Sequence, residues 1–147
     1  MEWSEVNLEN HIWTCPAERM KGGVTHRVPL TAEMIEIIEP LQAMASKFVF
    51  EGQKRHQPLS NMSMLMLLRR MKIEGITVHG FRSTFRDWVS ETTNTPREIS
   101  EMSLAHKVGS IVEQAYARSD LLDKRRLLME RWSRYVANQD TKIVRIG

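Results

Sequence analysis

Apolar and polar positions change their period once along this chain, near residue 31. Before that point the apolar residues are mostly β-branched or aromatic and come in short runs. Trp3 to Val6 is one run, and His11-Ile12-Trp13-Thr14-Cys15 is a second that stops at Pro16. Gly22-Gly23 signals a turn, and His26-Arg27-Val28-Pro29-Leu30 predicts a returning strand. The pattern predicts an antiparallel hairpin or meander with a basic tip of Arg19, Lys21 and Arg27.

Beyond residue 31 the spacing is helical. Thr31 is a candidate N-cap for a helix carrying Met34, Ile35, Ile38, Leu41 and Ala45, and Pro40 predicts a kink or early stop within it. Residues 47–51 read as a short strand or turn, and 52–58 as polar loop. Ser60 can cap a helix that runs to Met71 and is closed by Gly75. Thr77 or Val78 opens the next, with Phe81, Phe85, Trp88 and Val89 on one stripe and Phe81 free to anchor it in the core. Thr95-Pro96-Arg97-Glu98 predicts a capping box with proline at the first helical position, and that helix should run to about Leu104. Residues 107–110 read as a break, 111–118 as helix, and about 120–137 as a last helix with Leu121, Leu128, Trp132 and Val136 facing the core. The alternating tail from Lys142 to Ile146 predicts an edge strand. The class is α+β: a small N-terminal antiparallel sheet followed by a mainly helical bundle, with no linker dividing its 147 residues.

Composition narrows the picture a little. No window approaches the roughly 18 consecutive apolar residues of a membrane span. The polar, acidic start is not that of a secretory signal, and the lone Cys15 permits no internal disulfide, so a cytoplasmic setting is expected. The net charge of +3 is unevenly spread: residues 1–60 hold 6 Lys/Arg against 8 Asp/Glu, and the remainder hold 15 against 10. A basic C-terminal part suits a phosphate-backbone partner.

Candidate chemistry lies in that basic part. In His79-Gly80-Phe81-Arg82 an imidazole and a guanidinium stand at i and i+3 near a helix start, where unpaired N–H groups favour an anion. Alone, such a pair is usually just two surface residues. Leu104-Ala105-His106 ends the following helix, and Tyr116 comes ten residues later. Most tyrosines on helices are packing residues, and a phenol of pKa near 10 is about a thousandth ionised at neutral pH. A base and a cationic setting make it a credible nucleophile, and His79, Arg82 and His106 offer both. The five histidines and one cysteine show no zinc spacing. No phosphate-binding glycine loop and no carboxylate cluster stands out, so no metal or cofactor is expected.

The order H-G-F-R, L-A-H, A-Y-A-R and K-R-R-L-L-M-E-R-W resembles the catalytic domain of tyrosine recombinases, above all the integrases of temperate phages and genomic islands. The segments WSEVNLENHIWTCPAERMK and RVPLT are similar to that family's hairpin and returning strand, so the resemblance covers essentially the whole chain. It implies double-stranded DNA as substrate, a transient 3′-phosphotyrosyl link, and a tetramer on two DNA sites. Arg82 would bind the scissile phosphate. His79 would act as phosphate ligand or proton acceptor, and His106 as the second phosphate-binding histidine. Tyr116 would be the nucleophile, and Lys21 the general acid for the leaving 5′ oxygen, a role for which neighbouring Arg19 could be mistaken. The family has a further arginine on a helix before its first strand. Nothing here matches it, so the chain reads as a partial catalytic domain, inactive by itself. A topoisomerase of type IB and a non-catalytic DNA-binding relic are the rival readings.

Overall fold

The computed structural model describes residues 1–109 and 119–138. The three predicted strands are β1 (Val6–Asn7), β2 (Ile12–Cys15) and β3 (His26–Pro29), paired antiparallel in chain order. Trp13 lies opposite both Val6 and Val28, and Cys15 opposite His26. Only the end of the first run is strand. Trp3–Glu5 forms a 3-10 turn instead, because Glu5 folds back to accept the Glu2 backbone N–H at 2.9 Å.

Five α-helices follow among the described residues: α1 (Ala32–Ile38), α2 (Ser63–Arg70), α3 (Gly80–Thr92), α4 (Arg97–Ser103) and α5 (Leu122–Val136). Thr31 caps α1, its hydroxyl accepting from Met34 N. Pro40 stops that helix early, and a 3-10 turn over Glu39–Met44 takes its place. Ala45 has φ of 51° and leaves the helical stripe.

Several sequence expectations need correction. Ser60 is not the N-cap of α2: the cap is Met62, and Ser60 meets Ser63 side chain to side chain. The Thr95 capping box does not form. Pro96 itself is the N-cap of α4, with an extended ψ of 136° that starts the helix one residue later than expected. Phe81 is 50% exposed and is not part of the cluster that α3 forms with α4 and α5, so it does not anchor the helix in the core. Val136 is 63% exposed: its neighbour Tyr135, 5.5 Å from the Trp88 ring, is the residue of that turn that meets α3. The expected helix over 111–118 and the strand over 142–146 lie outside the described residues.

Two apolar clusters organise the fold. Phe85, Trp88 and Val89 of α3 meet Ile99 of α4 and Leu128 of α5, with Trp132 edge-on to Phe85 at 5.4 Å. Tyr135 stacks on Trp132 at 5.5 Å, so it packs as its position on α5 suggests. Leu30, Ile38 and Val49 form the second cluster under the sheet, with Trp3, Trp13 and Met34 around them.

Helix α5 ties the clusters together through polar contacts. Ser133 donates to Glu33 at 2.7 Å and lies 2.9 Å from the buried Thr31 hydroxyl. Arg126 donates to the carbonyls of Asn10 and His11. Arg125, 1% exposed, reaches under β3 and donates to Arg27 O at 2.8 Å, to Asp120 O at 2.8 Å and to Asp120 Oδ2 at 3.0 Å. Arg27 holds the same carboxylate from outside with a two-pronged grip, Nε to Oδ2 at 2.9 Å and Nη2 to Oδ1 at 2.6 Å. A buried guanidinium is tolerated only where its donors and charge are matched, and here all three nitrogens have acceptors.

Candidate functional site

The end of α4 is where the sequence most directly makes a site. Ala105 adopts the left-handed conformation, with φ of 56°, just past the C-cap Leu104. Its N–H bonds Met102 O at 3.1 Å, and the next N–H, of His106, reaches back to Glu101 O at 2.9 Å. This pair of bonds is a Schellman ending, which satisfies the orphan carbonyls of a helix terminus. It also folds the chain back on itself, so His106 comes over the helix it has just left. His106 Nδ1 lies 2.5 Å from Glu101 Oε2.

Arg82 approaches from the first turn of α3. Its Nη2 donates to Leu104 O at 2.6 Å and stands 2.9 Å from His106 Nε2. A cation at the carbonyl end of a helix is favourable twice over, by hydrogen bond and by helix dipole. Arg82 and His106, 24 residues apart, are therefore in contact, and both are exposed.

Glu101 stands behind them, with 12% of its side chain exposed. Its Oε1 is buried without a well-formed hydrogen bond, 3.3 Å from Arg86 Nε and 3.6 Å from Arg97 Nε. The hydrogen bond with His106, helped by the two arginines, holds this carboxyl below the usual carboxylate range against the opposing effect of burial.

The other predicted residues stand differently. His79 occupies the N-cap position of α3 and is exposed, with no side-chain hydrogen bond or ion pair among the described residues. Lys21 is an inner residue of the tight turn closed by Gly23 N to Met20 O at 2.9 Å. That turn abuts the residue after His106: a methyl group at Gly22 would lie 3.6 Å from Lys107 Cε. Arg19 is held by Glu5, which leaves Lys21 as the unpaired cation of the two among the described residues. Tyr116 lies outside the described residues.

Sequence reasoning missed three contributors. Glu101 precedes His106 by five residues, which is not a helical neighbour spacing, and the turn at Ala105 alone joins them. His26 on β3 is half-buried. Burial first, then the charges of Arg125 and Arg82, push its imidazole below the ordinary range, while Asp120 opposes them. The Arg27–Asp120–Arg125 group is the third, and no spacing rule links residues 98 positions apart.

A small antiparallel sheet leads into helices that bring together the arginine of H-x-x-R and the histidine of L-A-H. That is the arrangement of a tyrosine recombinase catalytic domain. The model of the phage integrase family matches residues 1–122. The integrase of Shigella phage Sf6 is 34% identical over 138 residues, which is 90% of this chain and 36% of that protein. Prophage integrase IntS of Escherichia coli K12 is 33% identical over 138 residues, again 90% of this chain and 36% of the relative. Prophage integrase IntA of the same strain is 32% identical over 143 residues, 95% of this chain and 34% of the relative. No solved structure matches the chain closely enough to count as a relative. The chain belongs to the phage integrase family, and it spans about a third of the length of these relatives. No helix among the described residues is long and apolar enough to cross a membrane.

Proposed function

We propose that this chain supplies the chemistry of site-specific DNA recombination, cutting and rejoining double-stranded DNA through a 3′-phosphotyrosyl link. The observation that carries the reading is the exposed Arg82–His106 pair, anchored on the end of α4. A guanidinium and an imidazole held at one point on the surface are what a crowded phosphate needs as charge builds on its oxygens. Tyr116 Oη attacks phosphorus, and His79 takes or shares its proton. The bond to the 5′ oxygen breaks as Lys21 protonates it. A 5′-hydroxyl of a partner strand then attacks the phosphotyrosyl bond and releases the tyrosine. That bond retains the energy of the cut strand, so the cycle calls for neither metal nor nucleotide. Exchange between two duplexes calls for four protomers on two DNA sites.

The test is a nicked duplex that traps the covalent intermediate. The chain is joined behind the N-terminal remainder of the Sf6 integrase and offered that enzyme's own site. A covalent adduct should form, Tyr135→Phe should keep it, and Tyr116→Phe should abolish it while DNA binding persists. An adduct that survives Tyr116→Phe removes the assignment.

A further inference from the structure

The contact between Arg82 and His106 carries more information than proximity. A guanidinium has donors and no acceptor. With Arg82 Nη2 at 2.9 Å, His106 Nε2 must be the acceptor, so the ring proton resides on Nδ1. Nδ1 faces Glu101 Oε2 at 2.5 Å, and a carboxylate is an acceptor only. The two contacts agree on one tautomer, and Glu101 supplies the half of the argument that survives when a substrate replaces Arg82 at Nε2.

We propose that Glu101 is a positioning residue of the phosphate site, fixing the His106 ring with its proton on Nδ1 so that Nε2 is turned outward to Arg82 and the incoming phosphate. The proposal rests on the reading of Arg82 and His106 as phosphate ligands. Once a phosphate oxygen sits at Nε2, the ring must donate there while Nδ1–H stays on Glu101. The ring is then an imidazolium, and Glu101 is its counter-charge. Arg86 and Arg97 keep the other carboxylate oxygen engaged, so Glu101 cannot turn away from the ring without leaving two cations behind.

That last feature makes the proposal sharp. Glu101→Gln is nearly isosteric, but an amide has only one acceptor oxygen. Two arginines on one side claim it, and the amide NH2 is left to face His106. The ring must then accept at Nδ1 and carry its proton on Nε2, where it opposes Arg82. Ring 1H–15N multiple-bond spectra of the 147-residue chain distinguish the two tautomers. Near pH 8.5 free imidazole is neutral.

Wild type should show Nδ1–H and Glu101→Gln should show Nε2–H. Titration with orthovanadate, followed on the same resonances, should weaken on the order of tenfold to a hundredfold in the variant. A Glu101→Gln ring that keeps Nδ1–H overturns the proposal, and so does inversion with vanadate affinity unchanged. If the Gln chain does not fold, as judged by circular dichroism, Arg82→Ala decides. With Arg82 no longer donating to Nε2, Nδ1–H as the dominant tautomer supports the proposal, and loss of its dominance overturns it. A wild-type chain whose tautomer follows Glu101 but which does not bind vanadate refutes the phosphate-site reading and leaves the hold of Glu101 on His106 standing.

Discussion

Helices α2 and α3 carry the same kind of apolar spacing, yet they have opposite fates. Phe85, Trp88 and Val89 of α3 are buried against α4 and α5. In α2 only Leu68 is buried; Met64, Met66 and Leu67 are exposed, with Met62 and Met71 exposed on either side. Leu68 belongs to neither apolar cluster. Periodicity specifies a helix, but the stability of that helix comes from the face laid on another element. The Arg82–Glu101–His106 group draws on the well-packed helices. Arg82 starts α3, Glu101 and His106 close α4, and α5 braces the sheet beside them.

The contrast predicts unequal responses to substitution. Trp88→Ala removes an indole from a three-helix contact and should cost about 3–5 kcal/mol. Because Trp88 holds α3 against its neighbours, the Trp88→Ala chain should also bind vanadate more weakly, as followed on the His106 ring resonances. Leu68→Ala should cost about 2 kcal/mol, at the low end for a buried leucine, and leave vanadate binding as it was. Equal losses in chemical denaturation would break the comparison.

A smaller effect is expected at the polar brace of α5. Hydrogen bonds from Arg27, then the charges of Arg125 and Arg27, hold Asp120 below the usual carboxylate range against its partial burial. Its folded pKa is depressed, so its contribution is complete above the unfolded value of about 3.9 and is lost as pH falls through the folded one. Asp120→Asn should therefore melt below wild type at pH 7, and the gap should close as pH drops from about 4 toward 2. A gap that is constant with pH would mean the ion pairs contribute nothing. The smallest effect belongs to the open face of α2, where Met64→Gln should change stability by no more than about 0.5 kcal/mol. A larger loss would show that this face is covered in solution.

How much of this was legible beforehand follows from the range of each signal. The meander, the Thr31 cap and the break at Pro40 depend on neighbours within a few residues, and each is found as read. Misreadings fell at ends. Phe81 and Val136 fit the apolar stripe of their helices, but each sits in a terminal turn and is exposed. The candidate ligands Arg82 and His106 were named from their motifs, whereas Glu101 was not, because only a left-handed residue at Ala105 brings positions five apart together. Nothing in the sequence sets Arg125 apart from its basic neighbours Lys124 and Arg126. Its burial depends on β3, far away in sequence, offering a carbonyl to it.

Arg82 is tethered by one nitrogen. An arginine presents five N–H groups, and Nη2 supplies both of its own to Leu104 O and His106. Three remain, on Nε and Nη1, with no acceptor among the described residues. A long side chain normally forfeits about 2 kcal/mol of rotamer freedom when it is immobilised. For Arg82 much of that loss has already been incurred in folding, and its bond to Leu104 O is one that a guest at His106 Nε2 need not break. An oxyanion arriving at the remaining three N–H groups would meet a hand that is already still, and its affinity would be diminished that much less by ordering.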